Sequence, residues 1–208
     1  GDGIGDFFLS APYTNGGTAT SQAYIIFGRA GSGFPAELDL TTLNGTNGYV
    51  IDGVSPSYNA GYTSGGAGDL NHDGIKDIFI KAVGQAPDGN RLHGGRTFVL
   101  YGGSGNLTAL DAADGASDGR IGLSTFDAPA ADGTDGFVIN GYEIPVAGIG
   151  GGRASAAGDV NGDGVDDLLI SSIDSGSEVF VVFGRDSTAG KTFPAAFELS
   201  SLLAANGG

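Results

Sequence analysis

Short apolar runs bounded by glycine recur along the chain in a fixed order. Phe7-Phe-Leu9, Ile78-Phe-Ile80 and Leu168-Leu-Ile170 are each followed, after a polar gap, by a run closing on an aromatic residue and glycine. Those second runs are Ala23-Tyr-Ile-Ile-Phe27-Gly28, Phe98-Val-Leu-Tyr101-Gly102 and Val179-Phe-Val-Val-Phe183-Gly184. A third element, Gly48-Tyr-Val-Ile-Asp-Gly53, returns as Gly136-Phe-Val-Ile-Asn-Gly141. Runs of this length, rich in Val, Ile and Phe and punctuated by glycine, predict β-strands. Several are apolar at consecutive positions, which predicts a sheet stacked between two others and buried on both faces.

The recurrence divides the chain into three units, 1–53, 54–141 and 142–208, the first and last incomplete. Within a unit the predicted order is a strand ending at Gly-Asp, an acidic loop, a strand, a linker, the aromatic-Gly strand, a long connection and the Phe/Tyr-Val-Ile strand. The middle unit is lengthened by Gly103–Asp135, whose Gly, Ala, Asp and Ser content predicts an exposed loop with a short irregular turn. Phe34-Pro-Ala-Glu-Leu-Asp-Leu40 and Phe193-Pro-Ala-Ala-Phe-Glu-Leu199 form a repeated crossover element in the outer units. Four short strands in each of three units read as radial β-propeller blades, with a β-sandwich as the alternative.

The acidic loops carry the candidate chemistry. Asp69-Leu-Asn71-His-Asp73-Gly74-Ile75-Lys-Asp77 and Asp159-Val-Asn161-Gly-Asp163-Gly164-Val165-Asp-Asp167 place carboxylates or amides at positions 1, 3, 5 and 9 around a glycine at position 6. Short oxygen-bearing side chains at that spacing, with a carbonyl at position 7, wrap a hard Ca²⁺ ion, and the glycine permits the sharp turn. Candidate ligands are therefore Asp69, Asn71, Asp73, the Ile75 carbonyl and Asp77, and Asp159, Asn161, Asp163, the Val165 carbonyl and Asp167. The chain opens inside a third copy that retains Asp2, the Ile4 carbonyl and Asp6. An EF-hand would need Glu at position 12, where Ile80 and Ile170 stand before strand-like sequence. A calcium β-roll needs tandem nonapeptides, which do not occur here.

Composition narrows the function. Twenty-four acidic against nine basic residues give a net charge of −15, which three Ca²⁺ ions would bring to −9. That balance disfavours nucleic acid as a partner. Cysteine is absent, so disulfides and thiolate metal sites are excluded. No apolar segment reaches the length of a membrane span, and direct membrane insertion is not expected. His72, at loop position 4, and His93 read as solvated side chains. The triplets Asn44-Gly-Thr46 and Asn106-Leu-Thr108 match glycosylation acceptors. No Ser/His/Asp or paired-carboxylate constellation stands apart from the loops, so catalysis is not expected.

The calcium loops and their flanking strands resemble the FG-GAP repeat family, the calcium-binding blades of integrin-alpha-like β-propellers. Phe27-Gly28, Tyr101-Gly102 and Phe183-Gly184 correspond to the FG element; Ser10-Ala11-Pro12 resembles GAP, degraded to Lys81-Ala-Val83 and Ser171-Ser-Ile173. The resemblance implies an all-β fold of about seven blades, of which this chain would supply an incomplete part, closed by further blades of the same polypeptide or by other copies. It implies a secreted or cell-surface module, stabilised by Ca²⁺, serving adhesion or structural assembly against a protein or glycan partner. Exposed aromatics clustered on the loops, among which Tyr58, Tyr62 and Tyr142 fit strand-end packing equally, would mark a binding face; a glycan-binding propeller and a non-catalytic part of a secreted metal-dependent hydrolase are the alternatives.

Overall fold

The computed structural model describes residues 3–12, 21–31, 33–54, 59–83, 95–127, 131–141, 152–171 and 178–202. Its strands are β1 (Phe7–Ala11), β2 (Gln22–Ile26), β3 (Gly48–Asp52), β4 (Asn59–Gly68), β5 (Asp77–Val83), β6 (Arg96–Leu100), β7 (Arg120–Gly122), β8 (Gly136–Asn140), β9 (Ala154–Gly158), β10 (Asp167–Ser171), β11 (Val179–Val182) and β12 (Ala196–Glu198). A single α-helix, α1 (Ser104–Ala112), interrupts them among the described residues. Three sheets result, with strand orders β1-β2-β3-β7, β12-β8-β6-β5-β4 and β11-β10-β9. Neighbours that follow one another in a unit pair antiparallel, whereas β7 joins β3 and β12 joins β8 in parallel. Each parallel strand comes from the chain segment after the unit whose sheet it extends, so consecutive units are laced together.

The middle sheet is buried on both faces, and alternation along its strands decides which side chain enters which core. Ile78, Ile80, Phe98, Leu100 and Val138 join Ile25, Tyr49 and Ile51 in a core shared with the first sheet. Phe79, Val99, Tyr101, Phe137 and Ile139 instead meet Leu168, Ile170, Phe180 and Val182 of the third. Phe137 stacks on Phe193 with ring centroids 4.0 Å apart, which seats the segment leading into β12. Full burial of each large side chain in these cores stabilises the fold by about 1.5–3 kcal/mol.

Two expectations from the sequence are corrected here. The three sheets are open and pack as layers around the middle one; no closed ring forms among the described residues, so the β-propeller is not the observed fold. Phe7, Leu9 and Phe34 remain exposed at the first sheet, and Val179 and Phe183 at the third. Nor is the fold all-β. The described residues of Gly103–Asp135 are no exposed loop: they form α1, β7 and a 3-10 turn at Leu123–Asp127, and bury Leu107, Leu110, Ile121, Leu123 and Phe126 in the first core. Most of the small and acidic ones face outward; the well-spaced apolar side chains, with the buried Asp111 accepting the amides of Gly119 and Arg120, order the segment.

Candidate metal-binding loops

The glycine at position 6 makes the turn that its place in the motif requires. Gly74 and Gly164 lie at φ +84° and +90°, and Gly3, the counterpart in the partial first copy, lies at +84°. A side chain there would be strained, so only glycine serves. Position 4 is also left-handed, at φ 58° for His72 and 77° for Gly162. His72 is exposed, as expected of an outward-facing position.

The Asx side chains turn onto the loop's own amides. Asp69 accepts from Asp73 N–H and Gly74 N–H at 3.0 and 2.9 Å, one to each oxygen. Asn71 donates through Nδ2 to Asp73 Oδ2 and accepts from Asp73 N–H, while Asp73 Oδ1 takes the Ile75 amide. Asp159, Asn161 and Asp163 repeat these bonds in the third unit, with Gly162 N–H as an added donor. Local hydrogen bonding of this kind closes the loop by itself. Among the described residues, no three His, Cys, Asp or Glu side chains gather into a ready metal cluster.

Position 9 plays a different part. Asp77 and Asp167 are 1% and 0% exposed. Asp77 Oδ2 accepts from Leu70 N–H and its Oδ1 from Gly102 N–H; Asp167 does the same with Val160 and Gly184. In the first unit Asp6 takes the Gly28 amide at 2.8 Å. The aromatic-Gly glycine is thus the donor that anchors the last loop carboxylate in all three units. It must be glycine for a second reason: a Cβ on Gly28, Gly102 or Gly184 would collide with the position-8 carbonyl of Gly5, Lys76 or Asp166. The sequence marked these glycines as strand ends; their role as loop anchors emerges only from the fold.

Burial pushes the Asp77 carboxyl up to about 7, against the two amide bonds that favour its charge, and the negative Asp73 and Asp69 add to the rise. Asp159, fully exposed, is held below the usual carboxylate range by the amides of Gly164, Gly162 and Asp163. Two carboxylates and an amide, the amide exposed at Asn161 and buried at Asn71, backed by a buried carboxylate, form a hard, oxygen-only donor set that fits Ca²⁺. Each carboxylate oxygen holding one amide still has capacity to accept more. The Ile75 carbonyl lies in an exposed residue, and Val165 is buried at 3% exposure.

Of the remaining candidates, Asp2 lies outside the described residues, as do His93, Tyr58 and Tyr142. Ile4 and Asp6 are described, and Tyr62 is half-buried. Asn106 is no free glycosylation acceptor: its Nδ2 donates to the carbonyls of Tyr101 and Asp135. Asn44 is exposed and uses only its Oδ1, in an Asx turn with Thr46.

A sequence model of the FG-GAP repeat matches residues 151–181. This segment holds β9, the whole loop 159–167, β10 and the first residues of β11. The family generally binds calcium, and the match falls on one repeat; it does not extend to a whole integrin-like assembly. No curated protein matches the chain. The adhesion and glycan-binding expectations depended on the rim of a closed propeller, and the open sheets remove that basis.

Proposed function

We propose that the chain is a non-catalytic calcium-binding module, in which Ca²⁺ tightens two Asx-rich loops that join consecutive strands of stacked sheets. The observation that carries this reading is the identical loop in two units: a left-handed glycine at position 6, the same Asx bonds and the same buried carboxylate at position 9. In each loop Asp69, Asn71 and Asp73, or Asp159, Asn161 and Asp163, supply the outer ligands. Asp77 or Asp167, with the Ile75 or Val165 carbonyl, supplies the inner ones. Asp6 and the Ile4 carbonyl offer a partial set in the first unit. Ca²⁺ replaces amide partners on the outer carboxylates and relieves their mutual repulsion.

Weak, oxygen-lined loops of this kind suit a compartment with abundant free calcium, which favours a setting outside the cell or at its surface. Nucleic acid is not a fitting partner for a chain of this charge. No helix among the described residues is long and apolar enough to cross a membrane.

Calorimetric melting in Ca²⁺ and then in excess chelator tests the reading. Binding to the native state at a hundred times its dissociation constant adds about 2.7 kcal/mol per site, so the transition should rise by several degrees. Asp163→Ala should remove one bound ion, and His72→Ala should remove none. An unchanged transition without bound metal would leave the loops as hydrogen-bonded turns only.

A further inference from the structure

Position 8 of the third loop does something that its place between two ligands does not announce. Asp166 accepts the Asp69 amide through Oδ2 at 2.9 Å, and its own amide donates to the Asp69 carbonyl. Two more amides from the third unit follow, Arg185 to the Leu70 carbonyl at 2.8 Å and Ser187 to the Asn71 carbonyl at 3.0 Å. The backbone at positions 1, 2 and 3 of the second loop is thus held from outside by the third unit. The approach is built in at Gly68, which lies at φ +87°; a Cβ there would come within 2.6 Å of the Asp166 side chain. The equivalent Gly158 has nothing within 4 Å of its Cβ position. Among the described residues, no amide from another unit reaches Asp159, Val160 or Asn161.

We infer that Asp166 is a positioning residue that couples the two complete loops, so that filling the third raises the affinity of the second. The inference rests on the calcium reading above. Asp166 stands between the Val165 carbonyl and Asp167, both candidate ligands of the third loop, and it holds Asp69, the first ligand of the second. An ion in the third loop fixes residues 165–167 and with them the acceptor that sets the Asp69 backbone. A first ion thus removes part of the ordering cost of the second, and linkage makes the effect reciprocal. The second loop, held from both sides, is the tighter site.

Calcium titration calorimetry on the full chain, with elemental analysis of bound metal, tests the coupling. Wild type should show two unequal sites. Asp163→Ala, which disables the third loop, should weaken the second by about fivefold or more, in the range typical of coupled sites. Asp166→Ala should leave two ions bound and weaken the tighter one by a similar factor, while Asp166→Asn, which keeps an acceptor oxygen, should restore most of it. In the double variant Asp163→Ala/Asp166→Ala the two effects should not add, because both act through the Asp166 side of one clamp. A second-loop affinity in Asp166→Ala within about twofold of wild type, or full additivity, would overturn the coupling. No bound calcium in wild type would overturn both the calcium reading and the coupling. Hydrogen exchange in chelator separates the clamp from the metal: Asp166→Ala should speed exchange of the Asp69 amide, and an unchanged rate counts against the clamp.

Discussion

Two glycines three residues apart show how differently the same residue type is used. Gly102 donates to the buried Asp77, and its Cα faces the Lys76 carbonyl so closely that a methyl group cannot fit. Gly105 sits in the first turn of α1 with open space where a Cβ would go. Gly102→Ala should therefore destabilise by about 2 kcal/mol or more, the scale of backbone displacement at a packed site. Gly105→Ala should stabilise by about 0.5–1 kcal/mol, the helical difference between the two residues. Chemical denaturation of both variants checks the contrast, and equal effects would refute it. Lys81 supplies a pH dependence at the same scale. It is 3% exposed on the interior strand β5, between Thr63 and Thr97, and burial pulls its ammonium down from 10.5 to about 8. Between those values the unfolded chain binds the proton and the folded one releases it, so this group makes stability rise with pH from about 8 to 10.5. Lys81→Met, similar in volume, should raise the melting temperature at pH 7 and flatten that rise; an unchanged slope would show that Lys81 is not its source.

At the scale of elements, α1 owes its place less to its own sequence than to its clamps. Its N-terminus is Gly103 without a side-chain cap, and Leu107 and Leu110 are its buried apolar contacts. Asn106 substitutes for the missing cap by tying the helix to the end of β6 and to the turn before β8. Asn106→Ala should cost about 1 kcal/mol by removing the donor to the part-buried Tyr101 carbonyl and the exposed Asp135 carbonyl. For the same reason a chain made in a glycosylating host should carry sugar at Asn44 and not at Asn106. Mass spectrometry of tryptic glycopeptides reads this directly, and a glycan on Asn106 in folded protein would contradict the clamp. The two parallel strands have the same logic. β7 and β12 are three residues long, too short to stand alone, and each survives by adding to the sheet of the preceding unit.

For the whole molecule, stability depends on the two cores on either side of the middle sheet. Leu168 is fully buried in the second, next in sequence to the third loop and in one core with residues of the middle sheet. Leu168→Ala should cost about 2–5 kcal/mol, transfer and cavity terms together. Because the same interface carries the Asp69–Asp166 clamp, the variant should also weaken calcium binding at the second loop. Denaturation and titration of one sample check both, and a stability loss with unchanged second-loop affinity would separate core from clamp.

What the sequence determined by itself is local or periodic. The position-6 glycines and the Asx residues of the loops encode their turn through short-range sterics and hydrogen bonds. The continuous apolar runs of β5, β6 and β8 announced a sheet covered on both sides, because alternate side chains point to opposite faces. Tertiary structure decided the rest. Whether stacked sheets close into a ring depends on the faces and angles between them, which no strand pattern records, and here the sheets remain open. The order in Gly103–Asp135 was hidden because Leu107, Leu110, Ile121, Leu123 and Phe126 become a pattern only when the first core lies beneath them. The same holds in the loops. Composition identified the oxygen donors, but only the fold showed that Asp77 and Asp167 turn inward onto the aromatic-Gly amides. Asp166, beside them in sequence, reaches across to another unit, because hydrogen bonds between distant segments follow from packing and leave no spacing in the chain.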